Sequence, residues 1–242
     1  MSLARKLKCA LFERYGGSRG IGGCWNARAV VINGRQCVAK LVPYLSTESP
    51  QWNARQSRKY RLEKRVYSML PRSWPIKLVD AFESDIGGFI VTSAYENTGW
   101  CTYIPSQKTD SAVAKQLVAQ IDTIHSTGIA HADLELKNIL FQKPSGVAII
   151  DFEKSNWRKR AQIDDYVKLV QSLLEFDRAN TRGIAFCIIE LLIERGDRAI
   201  AKNALVSAVG YMNVKMADYM NNNGSGSQRA TGVPRCDPCS VG

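Results

Sequence analysis

The sequence predicts an α+β chain of two lobes: an antiparallel β-sheet lobe with one helix, then a reduced, mainly helical lobe. Three observations predict it. β-rich runs crowd the first third, among them ARAVVING at 27–34 and RQCVAKLVPY at 35–44, joined by the hairpin signal Asn33-Gly34. Apolar residues then recur at helical spacing through most of the remainder. Between the two regimes lies an irregular stretch from Glu96 to Thr109, which places a cleft between the lobes near residues 94–99.

The elements follow in order. Residues 11–43 read as strand, glycine-rich turn, strand, turn and strand. Residues 57–70 read as a helix, with Leu62, Val66, Met69 and Leu70 on one face and Pro71 as its stop. IKLVDAFES at 76–84 and GGFIVTSAY at 87–95 read as two strands across a turn. Asp110-Ser111 is placed to cap a helix reaching about His125, striped with Val113, Leu117, Ile121 and Ile124. The loop HADLELKNIL at 131–140 comes next. NILF and VAII then make a small hairpin around Lys143–Gly146. Helices are expected at about 162–176, 181–195 and 197–220. The organisation is thus a first lobe over 1–95, a second over 96–220, and a polar, glycine-rich tail at 221–242 whose composition predicts disorder.

Bulk properties narrow the function classes. The chain has 242 residues, enough for one large domain or two small lobes. Its net charge is +11, from 33 basic and 22 acidic residues, which favours polyanionic partners without choosing among them. Basic clusters stand at 4–8, 58–65 and 157–160. The longest apolar run, GIAFCIIELLI at 183–193, is too short to span a bilayer and contains Glu190. No apolar secretory core opens the chain. Seven scattered cysteines without framework spacing predict a reducing, cytoplasmic setting. Cys236 and Cys239 form a lone C-x-x-C with no second ligand pair.

The acids around residue 131 pose the chemical question. Asp133, Asn138 and Asp151 sit between a core helix and a core strand. Phosphoryl transfer from ATP needs a phosphate cradle, a cation on the phosphates, oxygen ligands for magnesium and a carboxylate near the acceptor hydroxyl. Each has a candidate in workable chain order. Gly20, Gly22 and Gly23, in the glycine-rich run 16–23, would let backbone N–H groups approach phosphate oxygens. Taken alone, such a run reads equally as a turn between strands. Lys40, flanked by apolar residues inside a strand, would be the cation. On an edge strand it would instead point to solvent. Glu63 follows the stripe residue Leu62; facing inward it would hold Lys40, facing outward it is one more charge of RLEKR. Asp133 would be the catalytic carboxylate, with Asn138 and Asp151 as magnesium ligands. His131 has no neighbouring histidine or cysteine for zinc and reads as a buttress of the loop.

These residues carry a resemblance. HADLELKNIL followed by IIDFE resembles the catalytic loop and magnesium-binding motif of the protein-kinase-like superfamily, with the family's histidine, catalytic aspartate and asparagine falling on His131, Asp133 and Asn138. The metal-binding aspartate falls on Asp151, the strand lysine on Lys40 and the helix glutamate on Glu63. TSAYEN, residues 92–97, resembles the hinge that holds adenine. The resemblance covers about residues 10–176 and implies a bilobal kinase-like fold with ATP and Mg²⁺.

The departures from the family pattern are specific. Glu153 replaces the glycine after Asp151-Phe152. Glu135 stands where typical serine/threonine kinases carry a lysine. No Ala-Pro-Glu motif follows, and only about ten residues separate Glu153 from the next predicted helix. An acid after Asp-Phe without an activation segment is similar to the lipopolysaccharide-core sugar kinases, including 3-deoxy-manno-octulosonic acid kinases, whose glycine loop Gly20, Gly22 and Trp25 fit. It also resembles compact atypical kinases of the RIO and Bud32 kind. Asp164-Asp165 would anchor the catalytic loop, or simply charge a helix N-terminus.

The resemblance implies a kinase acting on a hydroxyl acceptor, with a sugar or glycolipid preferred. An atypical protein serine/threonine kinase and a nucleotide-binding pseudokinase scaffold are the alternatives, the latter because of Glu153. The basic clusters would suit an anionic membrane surface, placing the protein peripherally at its inner face. Nucleic-acid binding explains the charge but neither Asp133 nor Asp151, since cleft acids repel phosphate unless metal intervenes.

Overall fold

The computed structural model describes residues 2–21, 24–44, 48–175, 181–207 and 209–210. The expected tail, Cys236 and Cys239, and the helix beyond residue 210 lie outside them.

A helix not expected from the sequence opens the chain: α1, Leu3–Tyr15. Residues 11–15 therefore are its last turn rather than a strand, and the first lobe holds two helices rather than one. The physical reason is local. Leu7 and Leu11, one turn apart, are both buried, while Lys8 between them faces solvent. Gly16 closes the helix in the left-handed region at φ 75°, its N–H bonding the Phe12 carbonyl at 2.8 Å.

The sheet follows as β1 (Arg19–Ile21), β2 (Cys24–Ile32), β3 (Arg35–Pro43), β4 (Leu78–Ser84) and β5 (Gly87–Ser93), in spatial order β1-β2-β3-β5-β4, each neighbour antiparallel. Asn33 and Gly34 take φ of 51° and 75°, the two-residue turn whose twist matches the flanking strands. Strand alternation splits β3 in two. Cys37, Ala39 and Leu41 join Val30, Phe89 and Val91 under α1. Val38, Lys40 and Val42 face the other way. Helix α2, Pro50–Met69, covers that second face, burying Tyr60, Glu63, Val66 and Tyr67. It begins about two turns before the start expected at residue 57, because Ser49 caps it by accepting from Trp52 N–H at 3.2 Å and Pro50 occupies its first turn. Gly88 lets β5 pass beneath α2, since a Cβ there would lie 2.4 Å from the Tyr60 ring.

The second lobe consists of α3 (Gln107–Ser126), the hairpin β6 (Ile139–Gln142) and β7 (Gly146–Ile149), α4 (Lys159–Glu175), α5 (Arg182–Glu194) and a helical run over 198–207. The cap of α3 is Ser106, which accepts from Thr109 N–H at 3.1 Å. Asp110, the expected cap, is instead a buried first-turn residue that accepts from the Tyr103 hydroxyl. The link between lobes is tied to the hairpin: Trp100 Nε1–H donates to the Ile139 carbonyl at 2.8 Å and its ring stacks on Phe141. No helix among the described residues is long and apolar enough to cross a membrane.

Candidate active site

The loop after α3 is built around one buried carboxylate. Asp165, fully buried on α4, accepts the backbone N–H groups of His131 and Ala132, both at 2.7 Å, and its Oδ2 lies 3.0 Å from His125 Nε2. These bonds hold Ala132 in the left-handed region at φ 63°. Lys168 donates to the Ala132 carbonyl at 2.8 Å, and Ser172 accepts from Leu136 N–H at 2.8 Å. The anchoring role weighed for Asp164-Asp165 thus falls to Asp165.

His131 is the buttress the sequence implied. Its Nε2–H donates to the Ile150 carbonyl at 2.8 Å, while Nδ1 accepts from Asp133 N–H at 3.3 Å. Burial pushes its pKa down, outweighing the carbonyl and the nearby acids, so the imidazole is neutral. One ring therefore ties the loop carrying Asp133 to the strand end carrying Asp151.

Asp133 is nearly buried and well supplied with donors. Asn138 Nδ2–H donates to its carbonyl at 2.8 Å and to its Oδ2 at 3.2 Å. Lys154 Nζ lies 2.9 Å from the same Oδ2, and Lys137 Nζ 3.9 Å. Partial burial raises the carboxyl pKa, but Lys154, Lys137 and Asn138 together reverse this, and the net shift is downward. Asp133 is ionised at neutral pH.

Across the cleft, Lys40 meets both Glu63 oxygens at 3.2 and 3.0 Å and also pairs with Asp151. Burial alone would favour the neutral amine. Glu63 and Asp151 outweigh it and hold the ammonium charged. Burial acts the other way on Glu63, raising its pKa against the pull of Lys40, so its ionised form depends on that lysine. Asp151 sits at φ 69°. Phe152 is fully buried against Tyr67, Trp74 and His131.

The structure therefore brings Lys40, Glu63, Asn138 and Asp151 to the wall of one cleft of about 310 Å³, with Asp133 bonded to Asn138 at its edge. Val38, Ile90, Leu140 and Ile150 supply apolar walls, and Tyr95 of the expected hinge lines one side. Gly20 lies exposed on the edge strand β1, paired with Arg28 of β2, and is not among the residues lining the cleft. Gly22, Gly23 and the Trp25 side chain lie outside the described residues. Asn138 and Asp151 offer hard oxygen at the cleft wall, a donor set that fits magnesium whose remaining ligands are phosphate and water. Among the described residues no group of three or more His, Cys, Asp or Glu could hold a metal by itself.

Two contributors escape sequence reasoning. Glu153 pairs with Lys59 of α2 at 3.0 Å and approaches Lys40 at 4.0 Å, so it faces the helix. Lys154 reaches back to Asp133. Lys154 adjoins an anchored motif residue, which was the available signal; Lys59 stood in a charge cluster with nothing to single it out.

Two comparisons bear on this geometry. Residues 89–185, about two fifths of the chain, match the lipopolysaccharide kinase (Kdo/WaaP) family. The chain is also 31% identical over 100 residues to the serine/threonine-protein kinase PSK2 of Saccharomyces cerevisiae, covering 38% of this chain and 9% of that protein. By fold, by the chain order of the cleft residues and by both comparisons, the chain is similar to the protein-kinase-like families, the lipopolysaccharide kinases among them.

Proposed function

We infer that the chain is an ATP- and magnesium-dependent phosphotransferase acting on a hydroxyl, with a sugar or glycolipid acceptor preferred. The observation that carries this reading is Lys40, held between Glu63 of α2 and Asp151 across the cleft from Asp133. Lys40 would bind the α- and β-phosphates, and the 92–97 segment would face adenine. Magnesium, held by Asn138 and Asp151, would supply positive charge to the phosphate oxygens. Asp133 would orient the acceptor hydroxyl and take its proton as the oxygen bonds to the γ-phosphorus. The glycine-rich run holding Gly20, Gly22 and Gly23 would offer backbone N–H groups to the phosphates.

The acceptor preference rests on how little chain follows the metal site. Only residues 155–158 separate the single helical turn Phe152–Lys154 from α4, too short for the segment on which peptide substrates dock. The match to lipopolysaccharide kinases agrees with it. Similarity to a serine/threonine kinase keeps a protein acceptor as the second reading.

The test incubates wild type and Asp133→Ala with γ-labelled ATP, Mg²⁺ and a cell extract split into protein and glycolipid fractions. Label is expected in glycolipid with wild type alone. Label confined to protein would replace the acceptor, and no label with ATP still bound would make the chain a binding module.

A further inference from the structure

Typical kinases place a lysine two residues after the catalytic aspartate, and this chain has Glu135 there. The transferring phosphoryl group spreads negative charge over its equatorial oxygens, so a cation beside the catalytic carboxylate is a chemical need. Lys40, held by Glu63 and Asp151, is already assigned to the α- and β-phosphates. Lys168 is engaged with the Ala132 carbonyl. Lys137 is bound to Glu135 at 2.6 Å and stands 3.9 Å from Asp133. Lys154 lies 2.9 Å from Asp133 Oδ2 with its side chain half exposed, so its ammonium borders both the carboxylate and open solvent.

Its position is fixed from every side. The preceding Phe152 is fully buried, and Glu153 is paired with Lys59. Ser155 is buried after it, and Asn156 exchanges backbone hydrogen bonds with Ala130 at 2.7 and 3.0 Å. A cation on so constrained a turn is preorganised and needs little rearrangement as charge develops.

We propose that Lys154 is a further catalytic residue of the phosphotransfer, its ammonium shared between Asp133 and the γ-phosphoryl group in transit. The proposal rests on the phosphotransferase reading. As the acceptor oxygen bonds to the γ-phosphorus, the bond from that phosphorus to the β,γ-bridging oxygen breaks. The electron pair leaves with ADP, the hydroxyl proton passes to Asp133, and Lys154 neutralises the oxygens between them.

The experiment measures phosphate release from γ-labelled Mg-ATP, water standing in as acceptor, for wild type, K154M, K154R and Asp133→Ala. In K154M, kcat is expected to fall by about a hundredfold, in line with loss of one charge-stabilising donor. KM for ATP should stay within about twofold, because Lys40 and the metal site are untouched. K154R should keep most of the turnover, and its melting temperature checks that the fold survives. A K154M kcat near that of wild type overturns the proposal alone. Wild-type release no faster than in Asp133→Ala overturns the underlying reading and the proposal with it.

Discussion

Glu153 and Lys59 meet at 3.0 Å, joining the turn behind Asp151 to the helix that carries Glu63. The acid that replaces the family's glycine is thus a strut between lobes. Because both side chains are partly exposed, the pair contributes little to global stability, within about 1 kcal/mol. Its effect is on geometry. In Glu153→Gly, α2 should lose one of its ties and Lys40 its third acidic neighbour. The expected outcome is a severalfold rise in KM for ATP with a melting temperature nearly unchanged. Wild-type kinetics in that variant would show the strut to be idle.

Asp165 holds two backbone N–H groups of the loop before Asp133 and faces His125. In Asp165→Asn one oxygen becomes an NH2 donor set against a backbone N–H, because His131 N–H bonds Oδ2 and Ala132 N–H bonds Oδ1. A loss of about 2–4 kcal/mol is expected, since buried donors are left unsatisfied. Urea unfolding measures it. Turnover should fall as well, because the loop presenting Asp133 is no longer held.

Gly183 reverses an ordinary rule. Glycine to alanine inside a helix normally gains about 1 kcal/mol. Here the new Cβ would lie 1.9 Å from Asp110 Oδ2 and 2.8 Å from its Cγ. Asp110 is buried and bonded to Tyr103, so it cannot swing away freely. Gly183→Ala should therefore destabilise by about 1–3 kcal/mol, as overpacking does, and a higher melting temperature would contradict the packing described.

His131 sets a pH dependence. Its folded pKa lies below the ordinary value, chiefly through burial. Unfolded, the ring takes up a proton near pH about 6.5. The unfolded state then binds more protons than the folded one, so stability declines as pH falls through that value and levels off below the folded pKa. Unfolding free energies measured between about pH 7 and 5 should show a shallower decline in His131→Gln than in wild type.

Much of the site was legible because its chemistry uses residue types that are conspicuous where they stand. Lys40 interrupts an apolar strand, and Asp133, Asn138 and Asp151 crowd the junction of two core elements. The hairpin at Asn33-Gly34 announced itself by its dihedral demands. Helix α1 did not, because only Leu7 and Leu11 mark its buried side and a run of bases hides the period. The starts of α2 and α3 were missed because caps and polar first turns carry no apolar stripe. Lys154 and Lys59 were illegible for another reason: their partners lie 21 and 94 positions away, and only the folded chain brings them together.

The apolar core has a mechanical consequence. Val42 and Ile90 of the sheet and Tyr60, Val66 and Tyr67 of α2 belong to the same cluster as Leu117 and Ile121 of α3, with Phe152 among them. Among the described residues, only the face under α1 keeps a cluster of its own. The lobes are therefore not two bodies on a string. Prying them apart would wet apolar surface at roughly 2.5 kcal/mol per 100 Å². Under the proposed function, a nucleotide would therefore enter and leave a cleft whose two walls share one core.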